Sequence, residues 1–91
     1  MKFMITWKIP TGTYKAAAER FLSTGAPDAA GMKTLGRWHA PASYAGWHLV
    51  EGDLVAVAEL HAGWADLLEL EITPVLDDNE AATGIAKTLK K

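Results

Sequence analysis

Few side chains of this sequence could do chemistry: His39 and His48 on neighbouring segments, Arg37 beside them, and the pair Glu69 and Glu71 further on. Imidazole titrates near neutral pH and ligates zinc, copper and iron, so paired histidines raise proton transfer and metal binding together. The spacing of His39 and His48 is unlike any helical zinc motif. If both lie on strands, the strand carrying Glu69 and Glu71 stands about 10 Å from that of His48, two strand spacings of about 4.8 Å, too far for one ion within a single chain. The expectation is hydrogen-bonded, non-ligand histidines, with no metal and no cofactor. His61 falls on a helical segment and reads as a surface residue. With no cysteine there are no disulfides, thiolate sites or cysteine nucleophiles. No serine stands in a nucleophile elbow, and no glycine-rich loop could cradle a phosphate.

Four tryptophans are many for so short a chain. Trp7, Trp38 and Trp47 are expected on the helix side of a sheet, with Trp64 ending a helix above it and Tyr44 near the mouth. One reading makes them a solid core, because each ring buries a large apolar area. The other makes them the walls of a flat pocket for an apolar or aromatic molecule, since a buried indole N–H needs a partner and a pocket supplies one.

These residues need elements to position them, and the alternation of the sequence supplies them. Lys2–Ile9 places Phe3, Ile5, Trp7 and Ile9 on one face and Lys2, Met4, Thr6 and Lys8 on the other, a half-buried strand. A helix follows from Tyr14, capped by Thr11 or Thr13 and stopped by Gly25 and Pro27. Met32–Ala40 and Tyr44–Glu51 form a hairpin, and the turn length pairs Trp38 with Trp47 and Arg37 with His48. Asp53 caps a second helix ending near Gly63 or Trp64, with Leu54, Val57, Ala58, Leu60 and Trp64 as its apolar stripe. Leu68–Leu76 is a fourth strand with Leu68, Leu70, Ile72 and Leu76 inward. Asp77 and Glu80 open a last helix at capping-box spacing, with Ala81, Ala82, Ile85, Ala86 and Leu89 as its stripe and Lys87, Lys90 and Lys91 at its C-terminal end.

The order β-α-β-β-α-β plus a helix is the ferredoxin-like pattern, an α+β sandwich in which the first strand lies between the fourth and third and the second takes an edge. Helices then cover one face. The other is expected to be polar, carrying Thr6, Lys8, Arg37, His39, His48, Glu69, Glu71 and Thr73, with Lys2 and Lys8 beside the two glutamates.

Composition bounds the rest. The 91 residues allow one domain, 1–91, and 49% apolar with 22% charged residues is the balance of a globular protein rather than a disordered one. A net charge of −2 and a pI near 5.8 argue against nucleic acid as a partner. No apolar run approaches a membrane span, and Trp7 and Lys8 interrupt the first segment where a signal peptide has its greasy core, so a cytoplasmic location is expected. So small a core, with neither disulfide nor metal, points to association with another chain. Residues 1–50 hold six bases and two acids and residues 51–91 three bases and nine acids, complementary patches for such self-association.

Met1-Lys2-Phe3-Met4-Ile5-Thr6-Trp7, Leu35-Gly36-Arg37-Trp38-His39 and Trp64-Ala65-Asp66-Leu67-Leu68-Glu69 through Thr73-Pro74-Val75 resemble an uncharacterised bacterial family, one of the domains of unknown function. The resemblance covers nearly the whole chain. That family is similar to the dimeric α/β-barrel superfamily, which includes cofactor-independent monooxygenases, haem-degrading enzymes, isomerases and stress-response proteins. The resemblance implies a ferredoxin-like subunit, a dimeric α/β barrel and a homodimer, with no agreed substrate or catalytic residue. The haem-degrading members rely on an asparagine near the first strand, whereas the only asparagine here is Asn79. In the implied dimer, Arg37 and His39 of one subunit approach Glu69, Glu71 and Thr73 of the other, with Arg37 pairing one of the glutamates.

Two functions follow as expectations. The first is a binding or structural module for a small apolar or aromatic molecule, lined by Trp7, Trp38, Trp47, Tyr44 and Trp64. The second is a cofactor-independent monooxygenase- or isomerase-like enzyme with His39 or His48 as proton shuttle and Arg37 nearby.

Overall fold

The elements found in the computed structural model, which describes residues 1–89, follow the expected order. They are β1 (Lys2–Lys8), α1 (Tyr14–Thr24), β2 (Met32–His39), β3 (Ala45–Gly52), α2 (Leu54–Trp64), β4 (Glu69–Val75) and α3 (Asp78–Leu89). The sheet runs β2-β3-β1-β4 with every pair antiparallel, an α+β arrangement compatible with a ferredoxin-like fold. Lys90 and Lys91 lie outside the described residues.

Local chemistry explains most boundaries. Gly25 adopts a left-handed φ of 72° and donates its N–H to Phe21 O at 2.8 Å, ending α1 where a side chain would be strained. Asp53 accepts from the Val55 N–H at 3.3 Å to start α2. Asp77 and Glu80 exchange reciprocal bonds, Glu80 N–H to Asp77 Oδ1 at 2.8 Å and Asp77 N–H to Glu80 Oε1 at 3.1 Å, a capping box that starts α3. Thr13 does not cap α1; a 3₁₀ turn over Thr11–Thr13 precedes the helix, and the Thr13 hydroxyl donates to Leu67 O at 2.7 Å instead.

The hairpin register is the expected one, with Trp38 opposite Trp47 and Arg37 opposite His48. Its faces are reversed relative to the helices. β1 sets Ile5 opposite His48 and Thr6 opposite Trp47, so His48 joins Phe3, Ile5 and Trp7 on the helix side, and Arg37 joins it there through the hairpin. Trp38 and Trp47 project from the open face, 55% and 48% exposed, beside Thr6, Glu69 and Glu71. Indole area suggested burial, but the β1–β3 ladder decides which hairpin face meets the helices, and cross-strand partners share a side.

A bulge between Thr34 and Gly36 adds a second change. One extra residue shifts the alternation by one, so Thr34 and Arg37 share the helix side and Leu35 is left 43% exposed. The core is Phe3, Ile5, Met32, Val50, Ala56 and Val57, with Leu60, Leu70 and Ile72 packed on it. Leu76 falls beyond the end of β4 and is exposed, not inward. Helix α3 buries none of its residues; Ile85 and Leu89, expected on a core stripe, are 59% and 78% exposed. Lys8 lies across from Glu69, while Lys2 at the other end of β1 pairs with Glu51, Asp77 and Glu80 at 3.8, 3.5 and 3.4 Å.

Candidate functional site

Between the sheet and helices α1 and α2 lies a cavity of about 300 Å³. Its walls are apolar, from Ile5 and Trp7 on β1, Phe21 on α1, Leu60 on α2 and Leu70 on β4. Trp7 can lie along this wall because the residue opposite it on β3 is Gly46, whose added Cβ would collide with the indole and with the carbonyl of Trp38. The Trp7 Nε1–H donates to Ser43 O at 3.1 Å, which satisfies the indole without a ligand. Tyr14 borders the same space and donates its hydroxyl to Ala42 O at 2.7 Å.

Of the expected pocket residues, the fold brings Trp7 and Trp64 to this cavity and sends Trp38, Trp47 and Tyr44 elsewhere. Of the expected polar-face residues, Arg37, His39 and His48 line it, while Glu69 and Glu71 face the opposite side of the sheet with Thr73. Within one chain Arg37 and these glutamates therefore lie on opposite sides of the sheet. The same alternation that turns Ile72 inward turns its neighbours outward.

His48 is the one buried polar residue of the described chain, 5% exposed. Its Nε2 stands 2.7 Å from Thr34 Oγ1, and that hydroxyl also lies 2.5 Å from Asp28 Oδ1. The Asp28 carboxylate can only accept, so the single Thr34 proton goes to Asp28 and the Thr34 oxygen accepts from His48. This fixes the tautomer: Nε2 carries the hydrogen, and Nδ1 keeps its lone pair. Nδ1 has no partner among the described residues, yet no fully enclosed side-chain nitrogen or oxygen lacks one, so Nδ1 opens onto the cavity that the ring borders. Burial, reinforced by the nearby Arg37 charge, pushes the imidazole down to about 4, so it is neutral at pH 7. Burial alone would raise Asp28, but the Thr34 hydroxyl and N–H bonds, with the charges of His48 and Arg37, hold the carboxyl below its ordinary range.

Arg37 reaches along the cavity edge, with its guanidinium carbon 5.6 Å from the centre of the Phe21 ring. It donates to Ala26 O at 3.1 Å and Gly25 O at 3.3 Å, the carbonyl end of α1 where a cation is favoured. His39 Nδ1 lies 2.9 Å from Ser43 Oγ, and its ring meets Trp7 edge-on at 5.1 Å and Phe21 at 5.3 Å. Ala26, Ala42 and Ser43, the non-glycine residues with left-handed φ (47°, 68° and 62°), all border this cavity. Strain of this kind persists where surrounding structure over-determines it and gathers at ligand-binding and catalytic sites.

Sequence reasoning missed Asp28, Thr34 and Ser43. Asp28 sits in a loop read only as a connection, and Thr34 was hidden by the bulge that reverses its side. Among the described residues no group of three His, Asp or Glu side chains is placed to hold a metal ion, and no helix is long and apolar enough to cross a membrane.

Comparison with curated proteins and with solved structures finds no match. A family profile does match, over residues 1–89, nearly the whole of the elements described above. The chain belongs to the family described as domain of unknown function (DUF3303).

Proposed function

We propose that the cavity between sheet and helices binds a small apolar or aromatic molecule, in a protein of a single domain that works as a homodimer. The observation that carries the reading is the cavity itself: about 300 Å³ of space, walled by aliphatic and aromatic side chains, with a few convergent polar groups at one end. That is the usual make-up of a small-molecule site. The test is titration of the chain with 2-naphthalenemethanol, followed by calorimetry. Saturable binding is expected, and filling the space by Ala18→Phe is expected to abolish it while melting stays within a few degrees. Unchanged binding in that variant would move the site elsewhere.

A second reading, an isomerase- or cofactor-independent oxygenase-like enzyme, is favoured by the Asp28–Thr34–His48 chain. An unprotonated, tautomer-fixed Nδ1 on an apolar cavity is the arrangement of a general base. His48 would take a proton from carbon beside a carbonyl of the bound molecule and return it. In heavy water, that step exchanges deuterium into a cyclic aryl ketone such as 2-tetralone. Exchange faster than buffer alone, lost in His48→Gln, is the expected signature of the enzyme; exchange that persists in the variant removes His48 from the step.

A further inference from the structure

We infer that the molecule held by this cavity is an acid, an aromatic or aliphatic body carrying one carboxylate, and that Arg37 is the group that receives the charge. The inference rests on the binding reading above and adds the chemical class of the ligand.

The residues bordering the cavity include one formal cation, Arg37, and no carboxylate. The two imidazoles add no negative charge, and His48 is neutral at pH 7 for the reasons given above. Arg37 itself is under-used. A guanidinium offers five N–H donors in a planar fork. Two bonds go to backbone carbonyls at the end of α1, and no carboxylate lies within 4 Å of it among the described residues. Arg20 is the contrast. It meets Asp66 through two bonds of 3.0 and 2.8 Å, packs over Trp64, and has its charge answered within the chain.

The Arg37 charge reaches Asp28 and helps to hold its carboxyl down. Both oxygens of Asp28 are committed to Thr34, one to its hydroxyl and one to its N–H at 3.0 Å, and Asp28 does not border the cavity. Arg37 therefore faces the cavity with a charge and unfilled donors, beside the Phe21 ring and next to an apolar wall. A ligand that fills both features has an apolar body and one anionic end, and a carboxylate fits the fork of a guanidinium bidentately. A phosphate monoester would bring a second charge with no second cation to meet it.

The experiment compares 2-naphthoate with 2-naphthalenemethanol, matched in shape and different in charge, by calorimetry at pH 7. Wild type is expected to bind the acid at least tenfold more tightly, and Arg37→Gln to bring the ratio near one. Lys33→Gln, an exposed cation outside the cavity, is expected to leave the preference unchanged. Because Arg37 also bonds the end of α1, a third arm needs no variant: the Arg37 Nε–H resonance of wild type should shift on adding the acid and stay still with the alcohol. Equal affinity for acid and alcohol would overturn the inference while leaving the cavity reading intact. A preference that survives Arg37→Gln, or tight acid binding that leaves the Arg37 resonance unmoved, would overturn it too. Failure of both compounds to bind would remove this inference and the cavity reading together.

Discussion

His48 is the one buried polar side chain among the described residues, and its burial has a consequence for stability. The unfolded chain binds a proton at this residue with an ordinary affinity near pH 6.5, while the folded chain resists protonation down to about 4. The unfolded state therefore holds more protons throughout that window, so stability rises with pH across it and is lost as pH falls from 6.5 to about 4. At about 1.4 kcal/mol per pH unit of difference, and with Nδ1 screened by the space it opens onto, about 1 to 3 kcal/mol is at stake. The charged and titratable groups near the ring are Arg37 and His39 on β2 and Asp28 in the loop before it. Asp28 acts at lower pH: its depressed folded value makes its contribution available above the ordinary carboxylate range and lost only as pH falls through that lower value. Urea unfolding of wild type and His48→Gln between pH 4 and 7 separates them. The wild-type slope is expected to flatten in the variant, and an unchanged slope would place the titration elsewhere. His48 was legible in the sequence as a hydrogen-bonded histidine, but its partners were not. No periodicity reveals a bulge, and without the bulge Thr34 points away from His48.

The β2–β3 hairpin shows what sequence can and cannot settle about an element. Turn length fixed the pairs Trp38–Trp47 and Arg37–His48, because a short connection leaves little freedom in register. The side on which each pair lies depends on a long-range ladder between β1 and β3, and apolar tallying favoured the tryptophans for the wrong face. Helix starts and stops were readable for the opposite reason. Gly25, Asp53 and the Asp77–Glu80 pair satisfy backbone groups within a few residues of themselves, so local sequence contains the whole cause. The reversed faces change the expected effect of substitution. Trp38→Ala and Trp47→Ala remove rings that are half exposed, so each should cost about 1 kcal/mol or less of subunit stability. Phe3→Ala, in a residue 1% exposed, should cost about 3 to 5 kcal/mol. Denaturant unfolding at low protein concentration, where association contributes least, makes the comparison. A loss of about 3 kcal/mol in Trp38→Ala would return the indole to the core.

At the scale of the whole molecule, the chain is extended for its size. Its radius of gyration is 15.5 Å, against about 12 Å for a compact chain of this length, and it measures 54 × 26 × 18 Å. Its accessible surface is 6135 Å², where a compact monomer of this mass would expose about 5,200 Å². The excess of about 900 Å² is close to the share of one partner in a standard protein interface, about 800 Å². Two regions contribute to it: the open sheet face, with Trp38 and Trp47, and helix α3, with Ile85 and Leu89 exposed. The open face also sets Lys8 and Glu69 on adjacent strands, with Glu71 next to Thr6, so a twofold partner would meet both signs of charge around an aromatic centre. Homodimerisation through this face is the expected outcome, with α3 lying against the second copy rather than its own sheet. Arg37 and His39 border the cavity on the other side of the sheet. Trp47→Glu places a charge at the centre of the face without touching the Phe3–Val50 core. Sedimentation velocity at micromolar concentration should find a dimer for wild type and a folded monomer for the variant, with Lys33→Gln remaining dimeric. A wild-type monomer under these conditions would make the open face ordinary surface, and a Trp47→Glu protein that stays dimeric would move the contact to α3.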